Sequence, residues 1–312
     1  IGGIAKNINS NVIIGDENDE VVVMEADEFD RSFLQITPYI SIVTSIDADH
    51  LDIYGDEQQV FDAFNQFVGQ TKEEGVVIYN SSLPIVTDRR KLTYGFKNAD
   101  VMARNVRVVD GMTRFSVMTI EGLDLGDYKM QLFGEHNVMN ALSAIIACMQ
   151  LRLNMKTIRE GLATFQGVAR RFDIRVNNEK LCYIDDYAHH PEEIKQSILS
   201  MRALYEDKKI TGIFQPHLFT RTRDFYKEFA ESLSLLDEVI LTEIYPAREL
   251  PIKGISSRLI YDHLRPGIEN TLCNKEEILE ILKQKDIEVL ITLGAGDIEN
   301  YVQPICEILN KQ

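Results

Sequence analysis

The feature that most constrains the fold is a succession of short, mostly apolar runs separated by stretches with helical spacing. Such runs are typical of parallel strands buried on both faces, because a strand with one wet face would alternate polar and apolar residues. The predicted strands are residues 21–24, 39–46, 76–79, 181–184, 209–214, 238–242 and 289–293. Apolar positions at helical spacing predict helices over residues 57–67, 137–149, 191–205, 224–235 and 256–264.

This alternation predicts an α/β fold class with two parallel-sheet-based domains, their sheets covered by helices. Residues 93–132 show alternating patterns instead, which predict hairpin strands at the edge of the first sheet. Strand–helix alternation restarts after residues 167–171. We therefore predict two domains, residues 1–168 and 169–312, each long enough for its own core.

The charge balance limits the classes of partner. Lys and Arg total 33 against 49 Asp and Glu, a formal net charge of −16. We expect no nucleic-acid partner, since nothing offsets repulsion from a phosphate backbone. A small anionic nucleotide is still compatible, because it needs only local donors.

The remaining bulk features predict a cytoplasmic protein without a membrane partner. No apolar run approaches the ~20 residues of a membrane span, and no signal peptide opens the chain. The four cysteines form no C-x-x-C pair, and we expect no disulfide, as in a reducing compartment. The sequence opens with Ile1 in mid-pattern rather than with Met, so we expect a longer protein to contain it.

Acidic clusters follow the first two predicted strands. EADEFD, with Glu25, comes after residues 21–24, and DADHLD, with His50, comes after residues 39–46. Ligands of open parallel sheets bind at the carboxyl ends of strands, so Glu25 and His50 could hold a divalent ion that carries nucleotide phosphates. The alternative is that these acids are helix N-caps or a solvated rim.

Two further motifs suit nucleotide recognition. Asn137 and Asn140 in FGEHNVMNAL lie three residues apart on one helical face, where two amides could read the edge of an adenine. A helix capped by Asn137 explains that motif equally well. Arg171 in GVARRFD lies at the predicted domain boundary, where it could reach a phosphate or form an interdomain salt bridge.

The densest polar clusters follow strands of the second domain. DDYAHHP contains Asp186 and His189, and QPHLFTRTRD contains His217 and Arg221. Histidines and arginines at two strand ends favour a site for an anionic substrate. LGAGD also follows a strand, but it is neither a complete phosphate loop nor a complete dinucleotide fingerprint, and a tight turn explains it as well.

The order of these motifs resembles the Mur ligase family. The matching segments are EADEFD, SIDADHLDIYG, FGEHNVMNAL, GVARRFD, DDYAHHPEEI, QPHLFTRTRD and LGAGDIE, and they span essentially the whole chain. DDYAHHP, QPH-x-F-T-R-T and GAGDI point to the member that adds L-alanine. The nearest competitor within the family is the ligase that recycles a cell-wall tripeptide.

The resemblance implies an ATP-dependent ligation in peptidoglycan synthesis. UDP-N-acetylmuramate would be activated by ATP as an acyl phosphate, which the amine of L-alanine then attacks. Residues 1–168 would be the later part of a central ATPase domain, and residues 169–312 a C-terminal Rossmann-like domain. The family's phosphate loop, G-T-x-G-K-[ST], does not occur in this sequence. We expect it upstream, and we expect the chain alone to be inactive. The alternative from another class is a nucleotide-binding module without catalysis.

The resemblance also assigns roles in the first domain. Glu25 and His50 would bind Mg²⁺. Asn137 and Asn140 would lie at the adenine of ATP.

In the second domain, Arg171 would contact an ATP phosphate, and Asp186 would lie near the nucleotide ribose or the hinge. His189, His217 and Arg221 would face the muramoyl substrate and the incoming amino acid.

Two positions depart from the family pattern. Several relatives carry a carbamylated lysine after the His50 motif, but residues 61–67 contain no lysine, so we expect no such group. Position 218 is Leu, where some alanine ligases carry Arg, so a charged contact made by those enzymes is in doubt here.

Overall fold

A computed structural model describes residues 2–46 and 54–311 of the chain. The chain forms two compact units, Ile1–Gln166 and Gly167–Gln312. Within the described residues, no helix is both long enough and apolar enough to cross a membrane.

The first unit contains a six-stranded sheet whose strands lie in sequence order. The strands are β1 (Ile40–Val43), β2 (Val76–Asn80), β3 (Lys91–Gly95), β4 (Val101–Val109), β5 (Met112–Thr119) and β6 (Asp124–Met130). β1 to β4 pair in parallel, and β4, β5 and β6 pair antiparallel. The expected hairpin strands therefore form from β4 onward, whereas β3 belongs to the parallel part.

Within the described residues, the first unit also contains the helices α1 (Glu57–Gly69), α2 (Glu135–Gln150) and α3 (Met155–Thr164). A 3₁₀ helix covers Phe29–Gln35. Apolar residues of α2, such as Leu142 and Ile145, form one core with Ile78. Val77 is the neighbour of Ile78 and points to the other face of the sheet, where it packs with Phe67 of α1. Burial on both faces explains the continuous apolar sequence of β2.

The second unit contains another six-stranded sheet, in the order β11-β10-β9-β12-β8-β7. Its strands are β7 (Asp173–Asn177), β8 (Cys182–Asp186), β9 (Ile210–Phe214), β10 (Glu238–Leu241), β11 (Glu269–Leu272) and β12 (Val289–Leu293). Its helices are α4 (Pro191–Leu204), α5 (Phe219–Leu233), α6 (Arg258–Tyr261), α7 (Ile278–Lys283) and α8 (Val302–Leu309). All neighbouring strands are parallel except β7, which is antiparallel to β8.

The register of the second sheet brings three motifs to one edge. Asp186 at the end of β8 lies opposite Leu293 of β12, which lies opposite Phe214 of β9. The segments that follow these three residues are YAHHP, GAGD and QPH. The carboxyl edge of one parallel sheet therefore carries all three.

One predicted strand is wrong. Residues 21–24 form no strand, and their side chains are exposed, with Val22 at 85% and Val23 at 84%. An apolar run becomes a buried strand only where a neighbouring strand and covering helices meet it, and β1 is the edge of the sheet within the described residues.

Several predicted boundaries also shift. The predicted strand over 39–46 is β1, which ends at Val43, and α5 begins at Phe219 rather than at residue 224. The predicted helix over 256–264 contracts to α6, a single turn. The pattern reading missed two strands at the sheet edge, β7 and β11, because neither is continuously apolar.

Candidate active site

Asp186 anchors the turn that follows β8. Its side chain is buried, and it accepts hydrogen bonds from Ser197 Oγ and from the N–H of Ala188 at 3.1 Å. Burial raises the pKa of Asp186 to about 6, although the bonds from Ser197 and Ala188 oppose that shift. Asp186 thus stabilises the turn through these two hydrogen bonds. Its predicted contact with a nucleotide stays a prediction.

His189 is held from two sides in that turn. Its Nδ1 lies 3.0 Å from the backbone oxygen of Tyr187 and 3.4 Å from the Glu193 carboxylate. Glu193 also accepts the backbone N–H groups of His189 at 3.0 Å and His190 at 3.2 Å. These contacts form a capping box at the first turn of α4, so the helix start fixes the imidazole.

Glu193 also connects this turn to the predicted phosphate ligand. Its carboxylate lies 3.7 Å from an Arg171 guanidinium nitrogen, and that guanidinium stacks over the Tyr187 ring. Burial disfavours the charged form of Glu193. The His189 ring, its N–H group and Arg171 outweigh burial, however, and hold the pKa of the carboxyl below its ordinary value. The Arg171 side chain is 56% exposed, as a group that meets an anionic ligand should be.

His217 and Arg221 lie beside the same turn. The His217 ring meets the His189 ring edge to face, with centroids 5.8 Å apart. An Arg221 guanidinium nitrogen lies 3.5 Å from His217 Nδ1, and the ring of Tyr245 stacks on the His217 ring with centroids 5.7 Å apart. The sheet edge therefore brings together all five site residues that the sequence predicted for this unit: Arg171, Asp186, His189, His217 and Arg221.

The segment that carries His217 is held by the loop after β10. The N–H of Leu218 donates to the Tyr245 oxygen at 3.0 Å, and the Glu249 carboxylate accepts the N–H of Phe219 at 2.6 Å. Glu249 caps α5, because it also accepts the Thr220 N–H at 3.1 Å. Leu218 has φ 72° and ψ 139°, a conformation that non-glycine residues rarely adopt.

The LGAGD turn is shaped by packing. Gly294 has φ 140°, and a Cβ there would lie 2.7 Å from the Gln215 backbone oxygen. A Cβ on Gly296 would lie 2.5 Å from Gln215 Oε1. Gln215 in turn donates to Asp297 Oδ1 at 2.7 Å. The glycines therefore allow the close approach of two strand ends, which favours the tight-turn explanation of this motif.

Sequence reasoning missed four residues of this site. Arg170, rather than Arg171, forms an ion pair with the buried carboxylate of Asp185, at 3.3 Å. Glu193 had a local signal, because a carboxylate three residues after a helix cap is typical of a capping box. Tyr245 and Glu249 had none, since they reach the site only through the fold.

The two amides of the first unit lie near the start of α2. Gly134, with φ 91°, is the N-cap, so the alternative that Asn137 caps this helix is wrong. Asn137 Nδ2 donates to the Phe133 oxygen at 2.7 Å, and Asn140 lies one turn further along with an exposed side chain. Their predicted contact with adenine stays a prediction.

The predicted metal ligands are only partly described. Glu25 is exposed and accepts a hydrogen bond from the N–H of Gly2, whereas His50 lies outside the described residues. Among residues 2–46 and 54–311, no three His, Cys, Asp or Glu side chains are grouped as metal ligands would be.

Comparison with known proteins assigns the family. The Mur ligase middle domain matches residues 7–148, and the Mur ligase, glutamate ligase domain matches residues 170–296. A UDP-N-acetylmuramate–L-alanine ligase of Phocaeicola vulgatus is 51% identical over 316 residues, which cover 100% of this chain and 69% of that protein. The chain belongs to the Mur ligase family.

Other Mur ligases agree with this assignment. A UDP-N-acetylmuramate–L-alanine ligase of Parabacteroides distasonis is 44% identical, and the match covers 100% of this chain and 68% of that protein. The crystal structure of UDP-N-acetylmuramate–alanine ligase from Thermotoga maritima has a TM-score of 0.75 and 27% identity, and the match covers 90% of this chain and 62% of that one. The chain thus spans about two thirds of the length of these Mur ligases. The predicted family and fold class are confirmed.

Proposed function

We propose that this chain is the nucleotide- and amino-acid-handling part of an enzyme that joins L-alanine to UDP-N-acetylmuramate in peptidoglycan synthesis. The observation that carries the proposal is the 51% identity to a ligase of that name over the whole chain. At that level of identity the site residues of the two proteins are expected to do the same chemistry.

The cluster at the second sheet edge supports this reaction chemically. ATP, the muramoyl carboxylate and the alanine carboxylate are all anionic, so the site needs cationic donors. Arg171 and Arg221 provide two guanidinium groups, and the two imidazoles between them are groups suited to proton transfer. In the proposed reaction, the muramoyl carboxylate attacks the γ-phosphate of ATP, and the resulting acyl phosphate reacts with the alanine amine.

The proposal includes Mg²⁺, and Glu25 fits it as a ligand. Magnesium prefers hard oxygen ligands, and the Glu25 side chain is an exposed carboxylate. The ion would neutralise phosphate charge when bound. In the full-length protein, His50→Ala should weaken Mg²⁺ binding, so ATP turnover should need a higher Mg²⁺ concentration. An unchanged Mg²⁺ requirement would remove His50 from the metal site.

The direct test is substrate-dependent phosphate release by the full-length protein. We expect release to require ATP, UDP-N-acetylmuramate and L-alanine together, and to yield UDP-N-acetylmuramoyl-L-alanine by mass spectrometry. Turnover with a preformed tripeptide in place of L-alanine would instead identify a recycling ligase. No ATP consumption with either acceptor would leave only a nucleotide-binding module.

Arg171→Ala adds a test of the site. It should raise the KM for ATP, because the phosphate loses a charged contact. His263→Gln is the matched control, since His263 is an exposed residue of the same unit outside the cluster. The 312-residue chain alone is expected to show no turnover, because its sequence contains no G-T-x-G-K-[ST] loop. Alanine-dependent phosphate release by this chain would contradict that expectation.

A further inference from the structure

The two imidazoles of the site differ in what surrounds their Nδ1 atoms. His189 and His217 meet edge to face with centroids 5.8 Å apart and planes at 74°. A neutral imidazole carries one proton, so one ring nitrogen donates a hydrogen bond and the other accepts one. The neighbour of Nδ1 therefore decides which role the Nε2 of the same ring takes.

Around His189, two acceptors lie close to Nδ1. The Tyr187 backbone oxygen at 3.0 Å has no hydrogen to give, and neither does the Glu193 carboxylate at 3.4 Å. The proton of neutral His189 therefore lies on Nδ1, and its lone pair lies on Nε2. Glu193 is itself fixed by the N–H groups of His189 and His190, so the acceptor cannot turn away without breaking the start of α4.

Around His217, a donor lies close to Nδ1. Arg221 has five N–H groups and no acceptor, and its guanidinium nitrogen lies 3.5 Å from His217 Nδ1. A proton on Nδ1 would point at a cation, so the lone pair faces Arg221 and the proton lies on Nε2. Arg221 is 8% exposed, and solvent therefore screens this effect only weakly.

We propose that the two histidines are fixed in opposite tautomers, so that His189 Nε2 accepts a proton from the incoming amine while His217 Nε2–H donates to the reacting carbonyl oxygen. This assignment of roles rests on the proposed function, in which an amino acid and an acyl phosphate are the reactants. Glu193 and Arg221 act as positioning residues, because each works through one imidazole.

The alanine ammonium gives one proton to His189 Nε2, and the freed lone pair forms the C–N bond at the acyl carbon. The oxygen that becomes negative accepts a hydrogen bond from His217 Nε2–H. The C–O bond to phosphate breaks, the phosphate takes its electron pair, and the second nitrogen proton leaves on the phosphate. His189 finally releases its proton to water.

The charges around the pair favour this assignment over its reverse. Glu193 is the acid that faces His189, and it stabilises the imidazolium that forms when His189 accepts a proton. Arg221 faces His217 and opposes a second proton there. Arg171 lies on the far side of Glu193, at 3.7 Å from its carboxylate, and Arg170 lies over the Tyr187 ring. The carboxylate therefore favours His189, rather than His217, as the imidazole that accepts the proton.

The tautomers can be read directly by NMR. The ¹⁵N shifts of a neutral imidazole distinguish the protonated nitrogen from the one with the lone pair. The 312-residue chain contains six histidines, so selective ¹⁵N-histidine labelling gives few signals, and His189→Gln and His217→Phe assign the two of interest. We expect Nδ1–H for His189 and Nε2–H for His217. The same tautomer in both rings, or the reverse pair, would overturn the proposal.

A comparison of two nucleophiles tests the roles in the full-length protein. Hydroxylamine is largely uncharged at neutral pH and attacks acyl phosphates without first losing a proton, giving a hydroxamate. His189→Gln should lower kcat with L-alanine about 100-fold or more, as loss of a general base does, and leave hydroxamate formation little changed. His217→Phe keeps the stacked ring and removes the donor, so both products should fall about 100-fold.

The positioning residue and the control complete this test. Glu193→Gln retains an acceptor for the α4 cap but removes the charge, so it should lower the rate with alanine more than the rate with hydroxylamine. His263→Gln should change neither. Equal losses with both nucleophiles in His189→Gln would overturn the role of His189 as proton acceptor. A wild-type protein that forms neither product would refute the proposed function instead, and the NMR result would still test the tautomers.

Discussion

Replacing Asp186 by Asn should remove the pH dependence that this buried carboxyl imposes on the stability of the second unit. Asp186 is 5% exposed, and its charge is opposed by burial more strongly than it is supported by its hydrogen-bond donors, Ser197 Oγ and the Ala188 N–H. An asparagine of the same shape carries no charge. Its amide oxygen can accept from Ala188, and its amide nitrogen can donate to Ser197 Oγ.

The magnitude follows from the shifted pKa. Folding raises the pKa of Asp186 from its ordinary 3.8 to about 6, so the folded state holds this proton more tightly than the unfolded state. The stability linked to Asp186 is therefore complete below pH 3.8 and is lost as the pH rises through about 6. The loss amounts to about 3 kcal/mol, at ~1.4 kcal/mol for each pKa unit.

The Asn variant avoids this loss but leaves one amide hydrogen unsatisfied, at about 1 kcal/mol. We expect the variant to be less stable than the wild type by about 1 kcal/mol below pH 3.8, and more stable by about 2 kcal/mol above the folded pKa. The difference in stability between the two proteins should thus change sign within this window.

Urea unfolding followed by far-UV circular dichroism measures the effect, and the chain contains no tryptophan for a fluorescence probe. Asp207→Asn is the matched control, because Asp207 is exposed in the same unit. Ser197→Ala should destabilise the wild type by about 1–3 kcal/mol by removing a donor from the buried carboxyl. An Asp186→Asn variant that parallels the wild type at every pH would refute the reasoning, because Asp186 would then not titrate in this range.

Three further predictions concern the second unit. Leu218→Gly should be more stable than Leu218→Ala by about 1 kcal/mol in urea unfolding, the reverse of the usual order, because φ is 72°. Glu238→Gln should lower the free energy of unfolding by about 2 kcal/mol above pH 4.5 and by less as the pH falls. Burial raises the pKa of Glu238, but its two lysine partners outweigh burial and hold the pKa below 4.5. Glu269→Gln, at an exposed carboxylate, is the control and should cost little. Glu249→Gln should lower the free energy of unfolding by about 1 kcal/mol by weakening the α5 cap, and the exposed Glu231→Gln on the same helix is its control.

The predicted site residues show what a sequence pattern can predict about the site and what it cannot. The clusters with His189 and His217 were found because each follows an apolar run, and the ends of neighbouring parallel strands must meet at one edge. The same rule predicted a strand over residues 21–24, and there it is wrong. The local pattern of those residues does not differ from that of β2, and only the neighbouring chain decides whether such a run is covered.

Periodicity and motif order were sufficient to determine the family, the α/β class and the sheet edge that carries the site. The family depends on the order of the motifs, and the fold class and the sheet edge depend on the repeat of apolar residues, so all three can be read along the chain. The tertiary structure alone decided which side chains act together. Glu249 accepts the N–H of Phe219 at the start of α5 across 30 positions of sequence, and the ring of His189 meets the ring of His217, which follows a different strand. The contacts that fix each proposed tautomer lie within four residues of its imidazole, whereas the meeting of the two imidazoles at one sheet edge depends on strands that only folding brings together.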